Sequence, residues 1–581
     1  MTKKEVAQIL DEVGTMLEVR GENQFKCRAY HNASKIIGDL TQDLNALIDA
    51  GELGTINGIG EALTQKITEL VKTGKLKYYE DLKKLMPSGL NDLLKIQGMG
   101  PKKIKVLFEK LRIQTLDDLK KAIEKHKLTK LDGFGEKTEE NILKGISQLS
   151  KHSDKHLYPE ARESADRILK KIRTVKGVIK FEVAGSLRRR KEIIGDIDIV
   201  VCTKKGTEAG VMTAFTSHRD VEQILGHGET KSSVSLKSGI QCDLRVVAES
   251  EFPFALAYFT GSKDHNVGMR SLAKEFGWSL NEYGFSEIGG TEKRGKAKQV
   301  VKCKTEEDIY NSLNLKYVPP ELRENMGELE PAINKHLPRL VENADIKGTF
   351  HCHTTYSDGT NSLEEMAQTA KELGWQYLGI ADHSKVAVYA SGLTEAKVKQ
   401  QWKEIDTLNK KLAGFRVFKG TEVDILPDGS LDWSDKILAG FDYVVASIHS
   451  KFKMTEEEGT KRLIKALKNK YVTMLGHPTG RLLLQREGYP VNMVEVVKAA
   501  ADYGKMIEIN AHPMRLDIDW RFCRYAKEQG VMISINPDAH AAQGLTDVQY
   551  GVNTARKGWL EKTNILNCHD VKDVLNFLKL H

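Results

Sequence analysis

Two aspartates stand two residues apart in Gly185-Ser186-Leu187-Arg188-Arg189-Arg190-Lys191-Glu192-Ile193-Ile194-Gly195-Asp196-Ile197-Asp198-Ile199-Val200-Val201, inside an apolar, β-branched run. On a strand, residues i and i+2 share a face. Asp196 and Asp198 are therefore expected to project together, with Ile197 and Ile199 opposite. Adjacent carboxylates repel each other unless a cation stands between them. Hard oxygen donors of this kind suit Mg²⁺, which keeps positions open for substrate phosphates. The Gly-Ser lead-in and its arginines offer backbone N–H groups and cationic forks to an anion. A two-carboxylate strand behind a phosphate binder points to nucleotidyl transfer. Asp243, in the strand-like run Ile240–Val247, is the candidate third carboxylate of a two-metal site. Further on, Tyr258-Phe259-Thr260-Gly261-Ser262 leads into an expected helix on which Asn266 and Arg270 share a face at i and i+4.

A second set of chemistry-bearing residues lies beyond residue 347. His351-Cys352-His353 places two imidazoles on one face of an expected strand end. Asp358, Asp382-His383, Glu422, His449, His477 and Asp538-Ala539-His540 come next, nearly all at the ends of short apolar runs. A (β/α) barrel would bring those ends to one mouth. Mixed imidazole and carboxylate donors suit Mn²⁺, Zn²⁺ or Fe²⁺ better than Mg²⁺. Several such ions generate a hydroxide and hold a phosphoryl oxygen. Arg481, just past Gly476-His477-Pro478-Thr479-Gly480, is the candidate for binding a substrate phosphate.

The elements that must position these residues change along the chain. Residues 1 to about 150 read as short helices joined by three similar turns: Ile56-Asn57-Gly58-Ile59-Gly60, Ile96-Gln97-Gly98-Met99-Gly100 and Leu131-Asp132-Gly133-Phe134-Gly135. Each is expected to start a helix, over Glu61–Thr73, Pro101–Leu111 and Glu136–Leu149. The glycines Gly58, Gly60, Gly98, Gly100, Gly133 and Gly135 allow tight turns whose free N–H groups can meet a nucleic-acid backbone without reading bases. From 151 to 315 a helix, Pro159–Arg173, precedes strands near Ile179–Ala184, Asp196–Cys202 and Gln241–Val247. The proline-bearing stretch 316–346 reads as a linker. Beyond it, strands near Tyr377–Ala381, Val417–Thr421, Tyr443–Ile448, Thr473–Leu475, Met506–Ile509 and Met532–Ile535 alternate with helices.

At 581 residues the chain should hold several domains. Its net charge is +8, and the basic excess leans to the N-terminal part, as for a phosphate-backbone binder. The seven cysteines form no C-x-x-C pair, which argues against a disulfide framework and a thiolate zinc site. No apolar stretch is long enough to span a bilayer, and the N-terminus opens an amphipathic helix, so a cytoplasmic, nucleoid-associated protein is expected.

Taken in order, Gly-Ser-Leu-Arg-Arg, Gly-Asp-Ile-Asp, Asp243 and Tyr-Phe-Thr-Gly-Ser…Asn…Arg resemble DNA polymerase family X, the family of DNA polymerase beta. The resemblance covers about 1–315. It implies that Asp196, Asp198 and Asp243 bind two Mg²⁺ ions and that Ser186 and Arg189 contact the triphosphate. By the same resemblance Tyr258, Phe259 and Gly261 sit against the nucleotide sugar, Asn266 reaches the minor-groove edge of the base, and Arg270 touches the template side. Gln24-Phe25-Lys26-Cys27-Arg28-Ala29-Tyr30 and Gly58-Ile59-Gly60…Lys66 resemble the family's lyase domain, with Lys66 at the Schiff-base position and Lys26 near a gap's 5′-phosphate. Ala62 departs from that pattern, where the family has a phosphate-binding lysine.

Residues 347–581 resemble the PHP (polymerase and histidinol phosphatase) domain. This implies that His351, His353, Asp358, His383, Glu422, His449, His477, Asp538 and His540 hold three ions, Mn²⁺ or Zn²⁺. Together the two resemblances imply a multidomain α+β chain: lyase-like helices over 1–80, helix-hairpin-helix over 81–150 and a nucleotidyltransferase palm with a mixed sheet over 151–250. A nucleotide-selection subdomain over 251–315, a linker over 316–346 and a distorted (β/α)7-type PHP barrel over 347–581 complete it. The implied function is gap-filling DNA repair synthesis in base excision repair with a 3′→5′ exonuclease, and AP-endonuclease or 3′-end-cleaning activity besides. The expected partners are gapped or nicked DNA and dNTPs, with no membrane, and a monomer is expected. The rival readings are a template-independent nucleotidyltransferase joined to a small-molecule phosphatase, and a non-catalytic DNA-end binder that keeps worn-out sites.

Overall fold

The computed structural model describes residues 1–581 except 2, 41–43, 57, 95, 97–98, 132, 153–154, 289–300 and 581. It forms two compact units, Met1–Ser153 and Asp154–His581. Among the described residues no helix is long and apolar enough to cross a membrane.

The first unit is helical throughout, as its 3.6-residue apolar spacing dictates. Helix Glu61–Thr73 buries Leu63, Ile67 and Leu70 at i, i+4 and i+7 and stops at Gly74, whose left-handed backbone returns its N–H to Leu70 O. Helix Pro101–Leu111 starts on a proline, whose missing N–H costs nothing at that position. The three Gly-x-Gly turns share one hydrogen bond. Ile59, Met99 and Phe134 donate their backbone N–H to Ile56, Ile96 and Leu131 O at 3.0, 3.0 and 3.1 Å. The same three residues are buried in the helical core. Each turn is thus pinned by its middle apolar residue, and Gly58, Gly60, Gly100, Gly133 and Gly135 are left at the surface.

The second unit begins with a five-stranded sheet. Its strands are β1 (Val178–Val183), β2 (Asp196–Thr203), β3 (Val221–His227), β4 (Lys231–Leu236) and β5 (Gln241–Val247), in the spatial order β1-β2-β5-β4-β3. Only β2 and β5 run parallel, so the sheet is mixed. Helices Tyr158–Ile172 and Glu208–Thr216 cover the face carrying Ile197, Ile199 and Val201. Helix Phe252–Thr260 covers Val200 and Cys202 on the other face. Burial on both sides explains why β2 reads as a continuous apolar run after Asp198. The β3–β4 hairpin has no counterpart in the sequence reading. β3 is an edge strand with nearly all its side chains exposed, so no alternation marks it.

Residues 252–288 and 301–340 pack a further core around Phe254, Met269, Phe285, Ile309, Tyr310 and Leu322, which Trp559 joins. The stretch 316–346, expected as a linker, has little regular structure yet is anchored. Leu322, Ala332, Leu337, Leu340 and Val341 are buried. Arg323 is fully buried, donates to Glu306 Oε1 at 2.7 Å and to Val318 O at 2.9 Å, and lies 5.2 Å from the rings of Tyr310 and Tyr317.

The remainder is a barrel of seven parallel strands in sequential order: β6 (Gly348–Cys352), β7 (Tyr377–Ile380), β8 (Arg416–Asp424), β9 (Tyr443–Ser447), β10 (Met474–Leu475), β11 (Met506–Asn510) and β12 (Ile533–Asn536). A Cys352–Ala539 bridge and a 2.9 Å bond from Thr349 Oγ1 to Ile535 O bring β6 against β12 and nearly close it.

Burial pushes the Glu306 carboxyl up, but the Arg323 and Arg188 guanidinium groups prevail and hold it at about 2. A carboxylate lowered on folding adds stability that is present above its unfolded pKa and lost as pH falls toward the folded value. Glu306→Gln should therefore be less stable than the parent by about 2–4 kcal/mol at pH 7, because one buried and one half-buried guanidinium group, Arg323 and Arg188, lose their counter-charge. The gap should start to close below the ordinary value of 4.5. Urea denaturation at a series of pH values checks both statements; a gap that does not vary with pH would refute the ion-pair account.

Candidate active sites

Parallel pairing of β2 with β5 sets Asp198 beside Asp243 and Asp196 beside Gln241. Paired strands lie about 4.8 Å apart, so Asp196, Asp198 and Asp243 share one face where both strands begin. Crowding and burial act on Asp198, whose carboxyl is pushed up to about 7 by desolvation, then by Asp196 and Asp243. At Asp243 burial again works upward, but hydrogen bonds from Gln241 and Ser233 and the Lys231 ammonium, 3.2 Å away, hold the carboxyl below its usual range. A divalent cation among them would offset the crowding that raises Asp198. Gly185 closes the turn over this group. Its φ is +59°, and a Cβ there would stand 2.3 Å from Asp198 Oδ2, so no other residue fits. Ser186 lies in the short helix that begins at this glycine, Gly185–Arg188.

The three arginines are all engaged, and Arg188 and Arg189 share Thr260 as a partner. Arg188 grips Glu306 with both Nη atoms at 2.9 and 2.5 Å and donates to Thr260 Oγ1 at 2.7 Å. Arg189, the residue expected at a triphosphate, donates to Glu324 Oε1 at 3.1 Å and to Thr260 O at 2.5 Å. Arg190 reaches Glu321 and, at 2.7 Å, Asn553 Oδ1. Tyr258 and Phe259 meet edge to face at 5.2 Å, and Arg245 stacks on Phe259 at 4.4 Å. Asn266 Nδ2 donates to Tyr258 O at 2.8 Å. Tyr258, Asn266 and Arg270 line one pocket with Phe254, Met269 and Tyr310, whereas Gly261 caps the preceding helix beside Arg189.

In the first unit, a Cβ at Gly60, Gly100, Gly133 or Gly135 would meet nothing within 4 Å, so those turns are open to a ligand; at Gly58, with φ +91°, it would strike Ile36. Gly98 lies outside the described residues. Lys66 Nζ sits 5.2 Å from the Tyr78 ring and bonds Ala62 O, while Lys26 pairs with Glu22 at 3.4 Å.

At the barrel mouth all nine expected ligand residues converge. They form four overlapping groups whose donor atoms lie within 4.8 Å of one another: His353, Asp358, His383 and His540; His351, His353 and Asp538; His351, Glu422 and His477; His383, Glu422 and His449. Glu422 is the hub. Its Oε1 stands 2.9, 3.1 and 3.2 Å from nitrogens of His477, His449 and His351, and its Oε2 3.0 Å from His383. The backbone is forced to reach this arrangement, with φ of +55°, +22° and +51° at His351, His477 and Asp538. Strain of this kind persists only where the surroundings over-determine it.

The donor set fits metal ions. His351 Nε2, both ring nitrogens of His353, His383 Nδ1 and Glu422 Oε2 are buried without a hydrogen-bond partner. Despite burial, carboxylates hold His449 at about 10 and His540 at about 9, whereas burial and its imidazole neighbours push His353 down to about 3.

Of the residues that aim these donors, the sequence reading named Asp382, in the Asp382-His383 pair, and missed Glu508 and Asp424. Glu508, fully buried on β11, accepts from His351 Nδ1 at 2.6 Å and from His477 N at 2.7 Å, which turns His351 Nε2 toward Glu422. Asp424 stands 3.2 Å from His449 Nδ1. Asp382 accepts from Thr354, Ser357 and Gln401 and so braces the loop that carries Asp358. A lone acid inside an apolar strand, as in Met-Ile-Glu-Ile-Asn, was the available signal for Glu508. One expectation is overturned. Arg481 is not free for a phosphate, because it spends its guanidinium on Asp519 at 2.7 Å and on the carbonyls of Arg515 and Leu516. Arg515 is the cation that faces the cluster, 3.4 Å from Asp538 Oδ2.

Chelation should lower the melting temperature of the chain, since ion binding at 100–1,000 times Kd adds about 3–4 kcal/mol; equal melting with and without chelator would refute the metal reading of the barrel. Gly185→Ala should weaken divalent-ion binding at the three palm carboxylates and leave that melting shift intact, which titration calorimetry and thermal scans can separate.

The chain matches family models in sequence order. They are a helix-hairpin-helix domain over 1–76, a helix-hairpin-helix tandem over 90–147, the DNA polymerase beta palm over 158–240, the DNA polymerase beta thumb over 255–324 and the PHP domain over 349–512. It is 39% identical over 581 residues, all of both chains, to the DNA polymerase/3′-5′ exonuclease PolX of Bacillus subtilis (strain 168). It is 30% identical over 240 residues to a probable phosphatase of Thermoanaerobacter sp. (strain X514), covering 39% of this chain and 93% of that one. A probable phosphatase of Caldanaerobacter subterraneus subsp. tengcongensis is 32% identical over 206 residues, 33% of this chain and 74% of that one. Full-length similarity, a polymerase beta palm and thumb, and a PHP barrel in one chain place it in the PolX group, and it belongs to the family X DNA polymerases that carry a PHP domain.

Proposed function

We propose that the chain is a template-directed DNA polymerase that fills short gaps in base excision repair and trims 3′ ends with a 3′→5′ exonuclease in its PHP barrel. The observation that carries the reading is the pairing of Asp198 with Asp243 beside Asp196, behind the Gly185-Ser186 turn. Two Mg²⁺ ions held there would activate a primer 3′-hydroxyl and offset charge on the triphosphate. Ser186 and the backbone N–H groups at the turn hold the phosphates. Arg189 joins them by exchanging the Glu324 carboxylate for a phosphate oxygen. The primer oxygen attacks the α-phosphorus in line and expels pyrophosphate. Tyr258, Phe259 and Gly261 bound the sugar, Asn266 reaches the base edge, and Arg270 the template side. The Gly-x-Gly turns, with Lys26 and Lys66, hold the DNA backbone.

In the barrel, the nine donors would hold three ions, Mn²⁺ or Zn²⁺ rather than Mg²⁺ given their imidazole content. AP sites and blocked 3′ ends are further substrates of that centre. The domain division 1–80, 81–150, 151–250, 251–315, 316–346 and 347–581 is part of this reading, as are a monomer and a cytoplasmic, nucleoid-associated location.

The two activities should separate. Asp196→Ala should abolish extension of a gapped, 5′-labelled primer–template and spare its degradation; His351→Ala should do the reverse. Loss of both activities in either folded variant would refute two independent centres. Degradation should be supported by Mn²⁺ far better than by Mg²⁺, and extension should require a template.

A further inference from the structure

The barrel mouth carries a feature that its nine donors do not explain. After β7 the chain passes His383 and turns through residues 384–393, which include the single turn Val388–Ala390. Val386, Val388 and Tyr389 are 45%, 82% and 70% exposed. The segment that carries them is held down. Ala387, Ala390 and Leu393 are buried; Val386 N donates to Asp432 Oδ2 at 3.0 Å and Leu393 N to His383 O at 2.8 Å. Gly392 lies so close to Ser384 that a Cβ would meet its carbonyl oxygen at 1.9 Å. The side chains are therefore presented to solvent by a fixed backbone, which is how a binding surface differs from a slack loop. The Tyr389 ring centroid lies 6.1 Å from that of His383 and 6.3 Å from that of His449, both of which meet Glu422. An apolar, aromatic knuckle thus stands one side chain away from the ion-binding centre.

We propose that Tyr389, flanked by Val388, is the platform on which the base of the 3′-terminal nucleotide stacks, so that the phosphodiester on its 5′ side falls over the donor cluster. The inference rests on the nuclease reading above and deepens it. It makes Tyr389 a positioning residue and a base-bearing 3′ end the favoured substrate of the barrel. An aromatic face accepts any base, because every base has a π-face and no edge is read. That suits removal of successive nucleotides whatever their identity.

The test uses the full chain with Mn²⁺ and single-stranded, 5′-labelled oligonucleotides that end either in an ordinary nucleotide or in a base-free tetrahydrofuran residue. Tyr389→Ala should raise KM for the ordinary end about tenfold, within the range for one base–aromatic stack. It should leave kcat, and both constants for the base-free end, nearly unchanged; Tyr389→Phe should behave as the parent. An unchanged KM for the ordinary end in Tyr389→Ala overturns the proposal. So does an equal loss on both ends, which assigns the ring to the fold or the ions, or a Tyr389→Phe as impaired as Tyr389→Ala, which assigns the role to the hydroxyl. A parent chain that degrades neither end overturns the nuclease reading itself, without recourse to any variant.

Discussion

Glu422 is buried with nitrogens of His351, His383, His449 and His477 within 3.2 Å of its two oxygens. A desolvated carboxylate costs several kcal/mol unless opposite charge surrounds it. The barrel answers with imidazoles, and the imidazoles in turn need Glu508 and Asp424 behind them to stay aimed. That demand runs outward through the fold. Glu508 must sit mid-strand on β11, β6 must bring His351 in with a left-handed backbone, and β12 must deliver Asp538 in the same strained conformation. Seven parallel strands nearly closed on themselves satisfy all three at once, because every strand ends at the same mouth.

A weaker version of the same constraint shapes the palm. Three carboxylates share one face, but only partly buried, and lysine and glutamine side chains share the load at Asp243. The arginines of the Gly-Ser segment join the palm to the C-terminal half of the chain. Glu324 takes Arg189 on one side and the buried ammonium of Lys557 on the other, at 3.1 and 2.5 Å, and Lys557 belongs to the barrel. Arg190 and Asn553 make a second such link. Palm and barrel are therefore tied through hydrogen-bonded charge rather than through apolar packing alone.

Much of the chemistry was legible in the residues. Asp196 and Asp198 could be assigned to one face because a strand has a period of two, and the H-x-H at His351 and His353 could be read the same way. The bounds of helices Glu61–Thr73 and Pro101–Leu111 come from glycine, proline and apolar spacing. The β3–β4 hairpin was not legible, because an exposed edge strand needs no alternation. Residues 316–346 read as a linker because they lack periodicity, yet irregular chain can bury side chains as firmly as a helix, as Arg323 does. Arg481 looked like a phosphate ligand because an arginine after a Gly-His-Pro run is near the chemistry in sequence; its guanidinium is consumed by Asp519 and backbone carbonyls that lie 34–38 residues away.

What the sequence determined by itself is which groups exist and how local periodicity orients them: two carboxylates on one strand face, imidazoles at strand ends, glycines at turns that open toward solvent. Only the tertiary structure decided which distant groups meet. The register that sets Asp198 beside Asp243, the burial that makes Glu422 a hub, Glu508 behind His351 and the exposed Tyr389 near His449 all depend on contacts between segments tens to more than a hundred residues apart. Local preferences act over a few residues, whereas desolvation and charge pairing act through space, and it is the latter that sort the candidate groups into sites.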